Sequence, residues 1–278
     1  MVLAADLGPL VAHNAPMGQF DDETAAHRTG DGYATHLSAA WNIGANPNGG
    51  YAAQPVLRAL THVADRPDPV SVTVHYLRPA LGDADGTITT EVVRAGRRAT
   101  NVAGTLIQAG APRLAVAAVL ADLTVPASDV VDPGLTVPAP SIPPPARCVD
   151  RLELDQGVDL PLLSRVEVRV RRDQPRAGAV VEGWIRLRDG SEPTTAALVL
   201  FADAFPPAVH AVVERVGWVP TLELTVHVRR RPGPGWVQAR VECDDVAGGW
   251  LIETATLWDE AGALVARSRQ LGMMLDAG

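Results

Sequence analysis

The sequence predicts an α+β protein made of two similar units, in each of which an antiparallel sheet surrounds one helix. Three observations lead to this prediction. A proline-rich segment divides the chain of 278 residues into halves of similar size. Strand and turn patterns recur in the two halves at one constant spacing. Each half also has strands, then one helix, then further strands, and this order favours an antiparallel sheet over alternating βαβ units.

The dividing segment, residues 126–145, contains seven prolines. Proline has no amide proton for regular hydrogen bonding, so we predict an extended linker. The expected organisation is an N-terminal unit over 1–125, a linker over 126–150 and a C-terminal unit over 151–278 that carries the active site. The first ~30 residues of the N-terminal unit are expected to form an arm.

A repeat relates the two halves. The segments VSVTVHYLRP and LELTVHVRRRP both alternate as strands, and His227 lies 152 positions after His75. Downstream, Gly262 lies 152 positions after Gly110, each in a pattern typical of a hairpin turn. The same offset at two places predicts an internal duplication.

One helix is predicted in each half. In the first, Asn48 is placed to cap an amphipathic helix over 51–64. In the second, Pro206 and Pro207 are expected to open a helix over 206–217, and the preceding run TTAALVLFAD is predicted to be a strand. A sheet around one apolar helix, made twice in one chain, is a double hotdog fold.

Composition argues against several classes of protein. The net charge of −8 disfavours nucleic-acid binding. We expect no membrane span, because no long apolar run is present, and a cytoplasmic location, because the N-terminus lacks the pattern of a signal peptide. No residues have metal-ligand spacing, so neither a metal nor another cofactor is expected. The sequence has no lysine, so a phosphate on a ligand would be bound by Arg, His or backbone amides.

Five segments, taken in order, resemble the type II (TesB-like) acyl-CoA thioesterase family. They are WNIGANPNGGY, VHYLRP, VVRAGRRATNVAGTLIQAG, VHVRRRP and LVARSRQLGMML. The resemblance extends over residues 33–275. It implies a double hotdog that hydrolyses fatty acyl-CoA to a free fatty acid and coenzyme A.

The resemblance also implies a catalytic trio in the second unit, namely Asp203, Thr221 and Gln270. In that role the carboxylate takes a proton from water, while the hydroxyl and amide groups orient the water. An ordinary Asp titrates near pH 3.9, so we expect burial to raise the pKa of Asp203. The positions 152 residues earlier hold Tyr51, Pro69 and Ala118, which cannot do this chemistry, so one active site per chain is expected.

Two further pairs of residues are candidates for binding acyl-CoA. Gly49 and Gly50 lie at the expected helix start, where backbone amides could hold the thioester carbonyl oxygen. Arg229 and Arg230 could bind the phosphates of coenzyme A.

A non-catalytic acyl-CoA or acyl-binding protein on the same scaffold is the alternative function. A hotdog hydratase is disfavoured, since GANPNGG lacks the Asp and His of that motif. Taken singly, Asp203 could be a helix cap, and Thr221 and Gln270 ordinary strand residues. Exposed sheet edges can pair between copies of the chain, so the predicted fold is compatible with a homo-oligomer.

Overall fold

The computed structural model describes residues 18–129, 131–154, 157–175, 178–213 and 219–275. Its helices are α1 (Gln19–Glu23), α2 (Gly49–Ala52), α3 (Gln54–Ala64) and α4 (Ala197–Asp203). Its strands are β1 (His27–Thr29), β2 (Gly32–Leu37), β3 (Asn42–Ile43), β4 (Asn46–Pro47), β5 (Asp68–Tyr76), β6 (Ala84–Ala95), β7 (Ala99–Gln108), β8 (Ala111–Ala121), β9 (Val149–Asp150), β10 (Val166–Val170), β11 (Ala179–Leu187), β12 (Thr221–Val228), β13 (Val237–Ala247), β14 (Trp250–Asp259) and β15 (Leu264–Met273).

Thirteen of the described strands form one antiparallel sheet in the order β1-β2-β6-β7-β8-β5-β12-β15-β14-β13-β11-β10-β9. Residues from this sheet and from α2, α3 and α4 pack into one hydrophobic core. The predicted α+β class is therefore confirmed. Among the described helices, none has the length and apolar character needed to cross a membrane.

The two halves meet where β5 pairs with β12. Thr73 lies opposite Thr225 in this register, and their hydroxyl oxygens are 2.9 Å apart. Since Thr225 is 152 positions after Thr73, the pair marks an approximate twofold axis between the halves. The next pairs on either side are also equivalent, since β5 pairs with β8 and β12 pairs with β15. Gln270 therefore has the same place in the second half that Ala118 has in the first. The predicted duplication is confirmed.

The first predicted helix is present as α2 and α3. The Asn48 side chain accepts a hydrogen bond from the Tyr51 amide at 2.9 Å and caps α2 as expected. The helix is interrupted at Ala53 because Pro55 lacks the amide proton that would continue the hydrogen-bond ladder. The face of α3 that enters the core carries Val56, Leu57 and Leu60, all buried.

Two predictions for the second half are wrong. The run TTAALVLFAD, predicted as a strand, contains α4, which packs against α2 and strands of the second half. Residues 197–202 are all buried, so the run has no polar face and its sequence lacks a helical period. The helix predicted over 206–217 is a single 3₁₀ turn, Ala208–Ala211, within the described part; residues 214–217 of that prediction lie outside it.

The proline-rich segment has no helix or strand over residues 131–144 and lies against the second half. The carbonyl oxygens of Val137, Pro140 and Pro143 accept hydrogen bonds from the side chains of Trp258, Gln238 and Trp184. The acceptors recur every third residue, which is the repeat of a polyproline II helix. These donors lie side by side on β14, β13 and β11.

The expected N-terminal arm can be followed from residue 18, since residues 1–17 lie outside the described part. Phe20 on α1 is buried and makes an edge-to-face contact with Trp41. Strand β1 extends the sheet edge by pairing with β2. This described part of the segment is therefore folded onto the first unit, and the predicted unit boundaries stay predictions.

Candidate functional site

A cavity of about 700 Å³ lies where the end of β5 meets the start of β12. Its polar wall includes Asn48, Asp203, His210, Thr221, Glu253 and Gln270. Its apolar wall includes Ile43, Leu114, Leu160, Phe205, Val241 and Met273. The three residues implied by the family resemblance therefore line one cavity, although they lie on α4, β12 and β15.

Asp203 is the last residue of α4, and its side chain faces the first turn of α2. Its Oδ2 accepts hydrogen bonds from Asn48 Nδ2 at 2.9 Å and from the Gly50 amide at 2.8 Å. A Cβ atom at Gly50 would lie 2.8 Å from Leu200 Cα, so a glycine is needed for α2 and α4 to approach this closely. The positive end of α2 favours the carboxylate form of Asp203.

Burial is the dominant influence on the pKa of Asp203. It raises that pKa from 3.8 to about 6, and the hydrogen bonds from Gly50, Asn48 and Gly49 lower it by less. The expectation that burial raises the pKa of this carboxyl group is confirmed. Such a group is a stronger base than an ordinary aspartate and is still ionised at neutral pH.

Gln270 lies on β15 and is held by a second buried carboxyl group. Its Nε2 donates to Glu253 Oε1 at 2.9 Å, and the other oxygen of Glu253 accepts from the Ala208 amide at 2.6 Å. Burial raises the pKa of Glu253 to about 7, and the negative charge of Asp203 adds to this effect. With its amide nitrogen bound in this way, Gln270 keeps its carbonyl oxygen as an acceptor for a ligand in the cavity.

The sequence reasoning missed Glu253, although a signal was present. Burial alternates along β14 from residue 251 to residue 257, where the buried residues are Leu251, Glu253, Ala255 and Leu257. A glutamate on the apolar face of a strand is costly unless it is paired or functional. The position of Glu253 in this alternation could have identified it as a candidate site residue.

Gly49 lines the cavity, and the amides of Gly49 and Gly50 are both directed at Asp203. The Gly50 amide is hydrogen-bonded to the carboxylate, and the Gly49 amide is close enough to lower its pKa. The sequence predicts that these amides hold the carbonyl oxygen of a substrate. In the structure they bind Asp203.

Arg229 and Arg230 are exposed, and neither is among the described residues that line this cavity. They follow β12, whereas the cavity lies at Thr221, which begins that strand. About 25 Å of extended chain separates the two ends. Arg78, 152 positions before Arg230, lines the cavity instead, because β5 and β12 run antiparallel and exchange their ends.

Comparison with known proteins places the two halves in one family. Residues 37–124 match the acyl-CoA thioesterase N-terminal domain, and residues 143–274 match the acyl-CoA thioesterase C-terminal domain. A structure described as a candidate thioesterase II from Thermobifida fusca is 34% identical, with a TM-score of 0.83. The match covers 94% of this chain and 99% of that one.

Two other similar proteins have no known function. A hot dog fold protein from Alicyclobacillus acidocaldarius has a TM-score of 0.80 at 24% identity, over 93% of this chain and 98% of that one, and supports the fold alone. An uncharacterized protein of Mycobacterium tuberculosis is 32% identical over 124 residues, which are 44% of this chain. The match spans only 40% of the length of that relative. The two domain matches and the Thermobifida fusca structure together establish that the chain is a double hotdog protein of the acyl-CoA thioesterase family.

Proposed function

We propose that the protein hydrolyses fatty acyl-CoA, with Asp203 as the general base. The observation that carries this proposal is the partly buried Asp203 carboxyl group, whose pKa is raised to about 6 in a cavity that Thr221 and Gln270 also line. A base of that strength is ionised at neutral pH and still accepts a proton readily. Family membership supports the same reaction.

The chemistry follows from the donors and acceptors around the cavity. A water molecule donates one proton towards Asp203 and the other towards the Gln270 carbonyl oxygen, while the Thr221 hydroxyl group donates to the water oxygen. These contacts direct a lone pair of the water at the thioester carbon. Asp203 takes the proton as the new C–O bond forms.

The tetrahedral intermediate then loses the sulfur atom. The C–S bond breaks, its electron pair leaves with sulfur, and the proton held by Asp203 neutralises the thiolate of coenzyme A. The products are a fatty acid and free coenzyme A, and Asp203 is again ionised. No covalent bond to the protein forms in this sequence.

The remainder of the cavity is consistent with the two parts of the substrate. Its apolar wall suits a fatty acyl chain. Arg78 lies on the rim of the cavity and is exposed, so its guanidinium group can reach a phosphate of coenzyme A. We therefore assign the phosphate contact to Arg78 in preference to Arg229 and Arg230.

Release of free thiol from a series of acyl-CoA substrates, from acetyl to palmitoyl, tests the reaction. Hydrolysis of at least one member at a rate well above the buffer background is expected. Tight binding of acyl-CoA without any thiol release would contradict the proposal and would favour the alternative, a non-catalytic acyl-CoA binding protein.

The pH dependence of kcat/KM is expected to show the raised pKa of Asp203. The base works only when it is deprotonated, so kcat/KM should fall tenfold per pH unit below about pH 6 and level off above it. An ordinary aspartate would give a flat profile between about pH 5 and about pH 8. A flat profile over this range would contradict the assignment of Asp203, and an inflection retained in Glu253→Gln would show that Glu253 is not its source.

Glu253 is expected to act through Gln270. Glu253→Ala and Gln270→Ala should each lower kcat/KM about tenfold or more. The double variant should lose no more than the worse single variant, because Glu253 acts by holding the amide that Gln270→Ala removes. Glu242→Ala, which removes a half-exposed carboxylate on β13, serves as the control. A double loss equal to the product of the single losses, in folded proteins, would show that the two residues act independently.

A further inference from the structure

The hydroxyl group of Tyr76 is buried and has no hydrogen-bond partner. Tyr76 is the last residue of β5, and its ring packs against the core while also lining the cavity. A buried hydroxyl group without a partner destabilises the folded state, because it has lost its hydrogen bonds to water. Native structures rarely keep such a group unless a ligand or a water molecule satisfies it. The orphaned hydroxyl group therefore points to a ligand atom in the cavity.

This hydroxyl group lies beside the first turn of α2. A Cβ atom at Gly49 would lie 2.8 Å from both Tyr76 Oη and Cζ, so glycine at this position permits the close approach of the ring. Burial raises the pKa of Tyr76 well above its ordinary value, and the charge of Asp203 raises it further. The group therefore keeps its proton at neutral pH and is a neutral donor close to the proposed base.

The donors nearest to Tyr76 are already occupied. Asp203 accepts the Gly50 amide at 2.8 Å and the Asn48 side-chain amide at 2.9 Å, and the Gly49 amide also acts on this carboxylate. A thioester carbonyl oxygen that enters here would need another donor for the charge that it gains. Among the fully buried side-chain polar atoms without a partner in the described residues, Tyr76 Oη is the one whose residue lines this cavity.

We propose that the Tyr76 hydroxyl group donates a hydrogen bond to the thioester carbonyl oxygen and stabilises the negative charge that forms on it. The inference rests on the proposed function and adds a catalytic residue to that site. When the water oxygen bonds to carbon, the π electrons of the carbonyl group move to its oxygen. They return when the C–S bond breaks, and Tyr76 keeps its proton throughout.

Tyr76→Phe tests the proposal with little change in shape. Loss of one donor to a developing oxyanion typically lowers kcat about 10²–10³-fold. We expect a loss of about a hundredfold in kcat for acyl-CoA hydrolysis, with a much smaller change in KM. The variant should unfold at no lower denaturant concentration, because it loses a hydroxyl group that had no partner.

A thioether analogue separates this role from general packing. An S-alkyl-CoA lacks the carbonyl oxygen, so wild type and Tyr76→Phe should bind it with equal affinity. Tyr33→Phe is the matched control, since the Tyr33 hydroxyl group is 2.8 Å from His62 Nδ1 outside the cavity. It should keep wild-type kcat.

If wild type is an active hydrolase, two results would overturn the assignment of Tyr76. One is a kcat within threefold of wild type in folded Tyr76→Phe. The other is a loss of S-alkyl-CoA affinity as large as the loss of kcat, which would indicate a role in packing. If wild type releases no thiol, the hydrolase proposal fails by itself. The role of Tyr76 is then decided by affinity: a preference for acyl-CoA over S-alkyl-CoA that Tyr76→Phe abolishes supports it, and an unchanged preference refutes it.

Discussion

Asp203→Asn is expected to lower kcat/KM for acyl-CoA hydrolysis at least a hundredfold. The amide cannot accept the proton of the attacking water, and a general base typically contributes 10²–10⁴-fold. Asn keeps the shape of Asp and can still accept the Gly50 amide, which donates at 2.8 Å in the wild type. Thiol release under limiting substrate measures the loss. Asp85→Asn, which makes the same change in an exposed carboxyl group paired with His36, should keep wild-type activity.

The same substitution is expected to stabilise the fold above neutral pH. Burial raises the pKa of Asp203 from 3.8 to about 6, so the folded protein binds this proton more tightly than the unfolded chain. Stability is lost as the pH rises from about 4 through about 6, and the loss at about pH 8 is about 3 kcal/mol. Asn removes this cost. Urea unfolding should show that the variant is more stable than wild type at about pH 8 and equally stable near pH 4. In the activity measurement, a kcat/KM within tenfold of wild type would exclude Asp203 as the base.

Asp68→Ala is expected to lower the free energy of unfolding by about 3 kcal/mol, because donors that are buried with Asp68 lose a charged acceptor. Asp68 begins β5, and its buried carboxylate accepts hydrogen bonds from Arg231 Nη2 at 2.9 Å, the Leu123 amide at 2.9 Å and Thr195 Oγ1 at 3.0 Å. Arg231 lies beyond the end of β12, so the pair joins the two halves. Removing the carboxylate leaves the amide and the hydroxyl group without this acceptor.

Asp173→Ala is the matched control for this experiment. Its carboxylate is 78% exposed and pairs with Arg171 at 3.4 Å, and such pairs contribute about 1 kcal/mol or less. Urea unfolding at neutral pH compares the two variants with wild type. A loss of less than about 1 kcal/mol in Asp68→Ala would contradict the stabilising role given to this ion pair.

The duplication was accessible from the sequence because it is a local pattern repeated at one offset. Strand alternation and turn glycines depend on near neighbours, and both Gly110 and Gly262 adopt positive φ at 71° and 84°. The first helix was predictable for the same reason, since Asn48 marks its cap and α3 keeps one polar face. These features could be predicted because each is determined by residues close in sequence.

The second helix could not be predicted in this way. Residues 197–202 of α4 are buried on every side, between α2 and the sheet, so tertiary packing removes the polar face that identifies a surface helix. Pro206 and Pro207 resemble a helix start, yet a single 3₁₀ turn follows them over Ala208–Ala211. The Ala208 amide in that turn donates to Glu253 in the site.

The site was predictable only as far as the family resemblance extends. It names Asp203, Thr221 and Gln270, which line one cavity. The ends of β5 and β12 meet only through the twofold pairing of the halves, so sequence alone could not place Arg78 at the cavity and Arg230 away from it. Tyr76 follows the apolar alternation of its strand, and its role emerges only from the missing partner of its hydroxyl group.

Single-turnover hydrolysis in water enriched in oxygen-18 tests the central claim most directly. With the protein in excess over acyl-CoA, attack by water predicts that the first fatty acid released carries one oxygen-18 atom and that Asp203 carries none. A first product without the label, together with label in the Asp203 carboxyl group, would mean that Asp203 attacks the thioester itself. That result would contradict its assignment as a general base.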